Sequence, residues 1–263
     1  MKIEQPLVSV VVVSYNAELT IAETLESIVN QTYKNIEIII ADDCSTDSTL
    51  SVVEQFPFGN VKNKLVVTDK NTGVAANANN GIRAANGEYI KLIAADDILF
   101  ENAIEVFLEH YNDAAITVSD CKMFGKNADK VRRLQDFYDG KNDFYLLNSH
   151  DQYIWLLKNN PIIAPAVGLI KKEFYLQLNG FDEQYPFCED YPFWLKSMDA
   201  GKKFCHIPFV LVGYRISDTS LNGASSKGKL FYSDRRFFYK YRLLKLLRYG
   251  RFLDCIKAIR HFM

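Results

Sequence analysis

Cysteine is sparse here and unpaired in pattern. The five (Cys44, Cys121, Cys188, Cys205, Cys255) are scattered, with no CxxC, and the four histidines do not flank them at zinc-finger spacing. A disulfide framework or structural zinc site is therefore not expected, and reduced, mostly buried thiols are. No apolar run approaches the ~20 residues of a membrane-spanning helix. The most apolar stretch, Leu7–Val13, has the length of a strand. The N-terminus offers one early lysine, then Glu4 and Pro6, with no h-region or small-residue cleavage site, so no signal peptide is expected and a cytoplasmic location is. Neither sign of charge prevails. The 31 Lys+Arg against 32 Asp+Glu leave −1, which argues against a nucleic-acid binder built on overall basicity. The phosphate-cradling patterns GxGxxG and GxxxxGK[ST] are missing, and so is a nucleophilic serine elbow.

What remains is an ordinary globular composition, with 48% apolar and 24% charged residues over 263 positions. That is enough chain for one compact α/β domain with a continuous core. Leu7–Ser14 reads as a buried strand. A helix follows on Ile21, Leu25, Ile28 and Val29, with Thr20 and Glu23 as a capping box. Ile36–Ala41 reads as a second strand, Ser48–Phe56 as a helix, Leu65–Thr68 as a third strand, Val74–Ala85 as a helix closed by Asn86-Gly87, and Tyr89–Ala94 as a fourth strand. Ile104, Phe107, Leu108 and Tyr111 mark the core face of the next helix. Strands alternating with helices at this spacing predict a mostly parallel central sheet flanked by helices, a Rossmann-like nucleotide-binding half. Lys122–Asn148 reads as an irregular polar and aromatic stretch, either an acceptor loop or a surface insertion.

In such a sheet, ligands bind beyond the carboxyl ends of the strands. Here those ends carry Ser14-Tyr15-Asn16, Asp42-Asp43 and Asp96-Asp97. Carboxylates facing a phosphorylated ligand need a cation between them. Mg²⁺ or Mn²⁺ held by one or two carboxylates and completed by substrate phosphates answers that need. Tyr15 offers a ring on which a base could stack. Taken without other signals, Asp96-Asp97 reads equally well as a helix cap, and so does Glu189-Asp190 ahead of Tyr191–Ala200. The four histidines have no triad partners at readable spacing, and Trp155 and Trp194 fall in helical patterns as core or acceptor-pocket walls.

Three blocks carry a resemblance. SVVVVSYNAELTIAETLESIVNQTYKNIEIIIADDCSTDST, NTGVAANANNGIRAANGEYIKLIAADDIL and LNGFDEQYPFCEDYPFWLKSMDAGKKF occur in this order within residues 7–215. Together they resemble the family 2 glycosyltransferases, inverting nucleotide-sugar enzymes of the GT-A fold. The resemblance implies that Ser14, Tyr15 and Asn16 line the nucleoside pocket, with Asp43 accepting from the base imide and Asp42 holding the turn or the ribose side. It places Asn79 at the nucleotide, Asp96 at the ribose or metal, and Asp97 as the direct metal ligand. Asp190 matches the catalytic base, with Glu189 beside it raising its pKa by like-charge repulsion. Two departures stand out. Ala78 occupies a position where the family often has Arg, so a diphosphate or sugar contact is expected from Arg83 or Lys91 instead. Ser217 stands where many members have His, which puts a third metal ligand in doubt. The implied activity is transfer of one sugar from a nucleotide-diphosphate sugar, UDP-linked, to a hydroxyl on a glycan or lipid-linked saccharide. A sugar nucleotidyltransferase and a catalytically silent nucleotide-sugar-binding module are the rivals. The former should show a Gly-rich basic loop after the first strand, and Ser14–Ala22 has none.

On this reading residues 1–226 form the transferase domain, with a donor half (1–112) and an acceptor half (113–226), and 227–263 form a basic tail. The tail holds eleven Lys/Arg against Asp234 and Asp254. Its leucines and aromatics lie three or four apart, as in an amphipathic helix pair broken near Gly250. Two readings stay open: peripheral attachment to an anionic membrane surface on the cytoplasmic side, or a helix packed on the domain with its charges in water.

Overall fold

The structure, a computed structural model, describes residues 5–162, 164–185, 189–216 and 235–262. Strands and helices alternate first: β1 (Val8–Ser14), α1 (Ile21–Val29), β2 (Ile36–Asp42), α2 (Thr49–Gln55), β3 (Lys62–Val67), α3 (Val74–Ala84) and β4 (Tyr89–Ala94). There follow β5 (Ile98–Leu99), α4 (Ala103–Glu109), β6 (Ala115–Gly125), α5 (Ala128–Asp139), α6 (Asp143–Leu146) and α7 (Ser149–Lys158). Then come β7 (Gly168–Lys171), α8 (Lys172–Gln177), α9 (Asp190–Asp199) and β8 (Lys203–Ile216). A π-helical turn (Phe238–Arg242) runs into α10 (Leu243–Arg248), and α11 (Phe252–Phe262) follows. The strands form one sheet in the order β3-β2-β1-β4-β7-β6-β8-β5. The β1–β2, β1–β4, β2–β3 and β6–β8 pairs are parallel, and short β7 joins the two parallel groups antiparallel to β4 and β6.

β1 and β2 sit at the centre because both their faces are apolar. Val8, Val10, Val11 and Val12 on one, and Ile38, Ile39 and Ile40 on the other, are buried. α3 lies close on them through Gly81. A Cβ there would come within 2.6 Å of Val11 Cγ1 and 2.9 Å of Ala41 Cβ, so only a hydrogen fits.

The structure revises three local expectations. Thr20 makes no capping bond; its hydroxyl donates to Ala95 O at 2.9 Å, and Glu23 pairs with Arg215, so tertiary partners outcompete the box. α3 ends on an extended Ala85 rather than on a left-handed Gly87; Gly87 is needed because a Cβ would lie 2.6 Å from Ser9 N. The stretch 122–148 is not irregular. β6 runs through Gly125, and α5 packs Val131, Leu134 and Tyr138 against the core. Asn127 caps α5 by accepting from Lys130 N at 3.0 Å. The break at Gly250 (φ 68°) between α10 and α11 falls where the sequence put it.

The amino ends of β1 and β2 hold a buried carboxylate. Glu37 accepts from Ser9 Oγ at 2.5 Å, Asn86 N at 2.5 Å, Asn86 Nδ2 at 3.1 Å and Gly87 N at 3.2 Å. Burial alone would raise this carboxyl; the hydrogen bonds outweigh it and hold it below the usual range. Glu37→Ala orphans these donors and should cost about 2–3 kcal/mol, read as a lower denaturation midpoint; an unchanged midpoint would refute the assignment. The folded-state value is depressed, so this contribution is complete above the unfolded value near ~4.3 and disappears as pH falls through the lowered one.

Candidate active site

The carboxyl ends of four neighbouring strands are tied by backbone bonds. Asp43 N donates to Ser14 O at 2.9 Å, Thr68 N to Asp42 O at 3.0 Å and Ala95 N to Val13 O at 2.9 Å. Tyr15, Asp43 and Asp96-Asp97 therefore share one edge. Asp42 closes its own turn, accepting from Ser45 N at 2.8 Å and Ser45 Oγ at 2.7 Å. Asn16, in the left-handed region at φ 49°, uses its side chain to accept from Thr46 N at 2.8 Å, which joins the loops after β1 and β2. Tyr15 stays 51% exposed, its ring open to a ligand. Asp43 first serves its own fold. Its Oδ1 accepts from Thr72 N at 2.7 Å, Thr72 Oγ1 at 2.8 Å and Thr68 Oγ1 at 3.1 Å, and its Oδ2 from Gly73 N at 2.8 Å. Only Oδ2 has accepting capacity to spare for a base imide.

Behind this edge α3 presents Asn77, whose amide donates to Ala41 O at 2.8 Å and Ser14 O at 3.3 Å. Its Oδ1 and the hydroxyl of Ser14 are buried with no hydrogen-bond partner in the structure. Buried polar atoms of this kind call for a partner, and these two lie behind the strand ends, sealed from solvent.

Asn79 is different from the expectation. Its Oδ1 accepts from Phe181 N at 3.0 Å and from the Tyr175 hydroxyl, and its Nδ2 donates to Phe181 O at 3.1 Å and Glu183 Oε1 at 2.8 Å. The amide is consumed in clipping the 175–183 segment to α3, and Gly180 (φ 66°) passes close enough that a Cβ would stand 2.7 Å from Asn79 Oδ1. Ala78 is fully buried. Of the two proposed substitutes for the missing arginine, Arg83 lines a cleft together with Thr68 and Thr72, whose hydroxyls bond Asp43, and Lys91 does not reach the site edge. Lys91 is enclosed, donating to Gly168 O at 3.1 Å and to Ala166 O, with Phe107's ring centroid 3.9 Å away. Burial pushes its ammonium well below the usual lysine range. Arg83 donates to Asn80 Oδ1 at 2.7 Å and pairs with Glu183 at 3.3 Å.

The acidic turn after β4 is organised by Arg215 at the end of β8. Its backbone N–H donates to Asp97 Oδ1 at 2.8 Å, its Nε to Asp96 O at 2.7 Å, and its terminal nitrogen pairs with Glu23. Asp97 is 1% exposed and committed to the Arg215 backbone, whereas Asp96 is half-buried and keeps solvent access. Burial, then the charge of Asp96, raises the Asp97 carboxyl well above the carboxylate range; burial also raises Asp96. Among the described residues no three His, Cys, Asp or Glu side chains gather into a metal cage. A Mg²⁺ or Mn²⁺ completed by a ligand's phosphates needs only one or two carboxylates, and Asp96 meets that need. Ser217 lies outside the described residues.

Asp190 opens α9, where its Oδ1 accepts from Tyr191 N at 2.7 Å and its Oδ2 from Asn160 Nδ2 at 3.2 Å. The helix-start and the reactive-carboxylate readings thus hold for the same group. Burial raises both Asp190 and Glu189, and repulsion between the two neighbouring carboxylates couples their titration. Burial pushes the Tyr138 hydroxyl of α5 and the Cys121 thiol of β6 both up to about 12, with the charge of Asp190 adding to the first and that of Asp97 to the second. The sequence did not single out Asn77, Asn160, Tyr138 or Arg215 for these roles, since each works through a partner far along the chain.

The family model for glycosyl transferase family 2 matches residues 9–178. An uncharacterized glycosyltransferase of Haemophilus influenzae is 32% identical over 222 residues, covering 80% of this chain and 66% of that protein. The Escherichia coli UDP-Glc:alpha-D-GlcNAc-diphosphoundecaprenol beta-1,3-glucosyltransferase WfgD is 28% identical, covering 84% of this chain and 81% of that one. Among solved structures, the mannosyltransferase of Pyrobaculum calidifontis in complex with GDP-Man and Mn²⁺ superposes with a TM-score of 0.63 at 20% identity, over 94% of this chain and 65% of that one. The chain spans 59–66% of the length of two of its curated relatives.

Asn79→Ala should release the 175–183 segment. The expected outcome is a loss of about 2–3 kcal/mol, from orphaned buried partners, together with faster protease cleavage in that segment. Wild-type melting and an unchanged digestion pattern would remove the clip.

Proposed function

Since the chain belongs to glycosyl transferase family 2, and is thus a transferase of the GT-A fold, we propose that it moves one sugar from a UDP-linked donor to a hydroxyl of a glycan or lipid-linked saccharide, with inversion. The observation that carries this reading is the gathering of an exposed Tyr15, Asp43 and a solvent-accessible Asp96 at the carboxyl ends of adjoining strands, where Asp43 N bonds Ser14 O and Ala95 N bonds Val13 O. The UDP-glucose named for WfgD and the Mn²⁺ named for the mannosyltransferase complex support the donor and the cation.

The roles follow from placement. Tyr15 stacks the base, and Asp43 Oδ2 accepts from its imide. Asp96 holds the divalent ion, with Asp97 keeping the turn in place through Arg215. A bound Mg²⁺ or Mn²⁺ supplies positive charge to the departing diphosphate. Asp190 takes the proton of the acceptor hydroxyl as that oxygen bonds to the anomeric carbon. The carbon–oxygen bond to the diphosphate breaks, and the diphosphate leaves with the electron pair. A carboxylate raised above the ordinary ~3.9 is a stronger base for this task while still ionised near neutrality.

Three measurements test the assignment. Asp96→Asn should weaken Mn²⁺-dependent UDP-sugar binding at least tenfold in calorimetry, with the fold retained; donor binding indifferent to this change and to chelator would defeat it. Asp190→Asn should lower transfer by roughly 10²–10⁴ while leaving donor binding intact. In the pH profile, kcat/KM should fall on the acid side as Asp190 takes up a proton, with a midpoint above ~3.9. Asn160→Ala removes a bond to the carboxylate and should shift that limb upward. Glu189→Gln removes the neighbouring carboxylate and should lower that limb. A limb that stays in place would refute repulsion within the pair.

A further inference from the structure

We propose that the outward face of α10 and α11 docks on an anionic lipid bilayer. The end of the described chain has two unlike sides. Its inner side is fixed to the domain. Phe237, Phe238, Leu246 and Cys255 are buried, and Arg242 donates to Leu157 O at 2.8 Å and Lys158 O at 2.6 Å, satisfying carbonyls at the end of α7. Lys245 bonds Asp199 of α9 at 2.7 Å, and Tyr241 bonds the same carboxylate. The first of the two open readings of this tail is therefore not an alternative to the second, because the helices pack on the domain and still expose an apolar side.

On the outer side of α11 Leu253 is 74% exposed, Phe252 62% and Ile256 47%, and Leu244 of α10 is exposed as well. Large apolar side chains grouped on one helix face, away from the core, mark an interaction surface rather than ordinary surface scatter. Arg248, Lys257 and Arg260 are exposed around them. Between residues 235 and 262 there are nine Lys/Arg and a single acid, Asp254, which Arg251 already pairs at 2.6 Å. This excess selects the occupant. A second copy offering the same face would bring like charge against like charge, whereas anionic headgroups neutralise the arginines and lysines while the leucines and phenylalanine enter the acyl boundary. No helix among the described residues is long and apolar enough to cross a membrane, so the helices lie on the surface rather than span it. Through Asp199 and Arg242 the docked helices hold α9 and α7 at a set height above the bilayer. That placement suits a lipid-linked acceptor, but the docking stands whether or not the proposed transfer is correct.

Vesicle co-sedimentation of the full chain tests it, with phosphatidylcholine alone and with phosphatidylcholine plus phosphatidylglycerol. The expected result is binding to the mixed vesicles at least tenfold above binding to the neutral ones, weakening as salt rises. The double variant Phe252→Ser/Leu253→Ser should lose at least tenfold in partition. Arg248→Glu/Lys257→Glu should lose more than fivefold, since each surface charge is worth roughly that factor. Melting curves for both should match the wild type, because the side chains are exposed. Equal binding to neutral and anionic vesicles, no binding, or variants that sediment like the wild type would overturn the proposal. So would self-association in analytical ultracentrifugation that these variants abolish in the absence of lipid. Sugar transfer to a soluble acceptor should be unchanged in both variants, which separates this outcome from the fate of the catalytic assignment.

Discussion

Everything at the ligand edge depends on how the central parallel strands are allowed to end. Where β1, β2 and β4 stop, their ladders run out together, and the freed backbone groups need partners away from bulk water. The chain meets this with backbone bonds between successive strand ends and with one side-chain amide, Asn77, lying across Ser14 O and Ala41 O. Once those bonds exist, the next residues leave the sheet in fixed directions. Tyr15, Asp43 and Asp96 then converge because their strands converge, and no further device is needed to collect them.

The molecule treats its enclosed charges in three ways. Glu37 is surrounded by donors and stays ionised, a structural anion at the far end of the sheet. Lys91 has carbonyls and a ring for company, but its removal from water outweighs them and disfavours the protonated form. Asp190 receives two donors, too few to offset its burial. The count and kind of neighbours separates the groups that hold the fold from the one that retains appetite for a proton.

The sequence made the donor half legible because that half is written locally. Periodicity located β1, α1, β2, α3 and β4 to within a residue or two at most ends, since each element's apolar pattern lies within the element itself. The acidic pairs and Tyr15 were readable for the same reason, sitting at strand ends. What escaped was set by distant partners. Asn79 looks like a nucleotide contact until the 175–183 segment is folded against it. The backbone bond that holds Asp97 comes from Arg215, more than a hundred positions away. α5 was hidden by its polarity, because its half-buried stripe of Val131, Leu134 and Tyr138 is narrow and its solvent side is crowded with charge.

Lys91 carries one more implication. A primary amine sealed between β4 and the Ala166–Gly168 carbonyls is out of reach of acylating reagents while the sheet stays closed. Surface lysines on this chain will react first and report only on solvent. The rate at which Lys91 acquires a label instead tracks how often the seam between β4 and β7 parts. The sequence thus contains its own spectator for breathing at the junction of the two parallel strand groups.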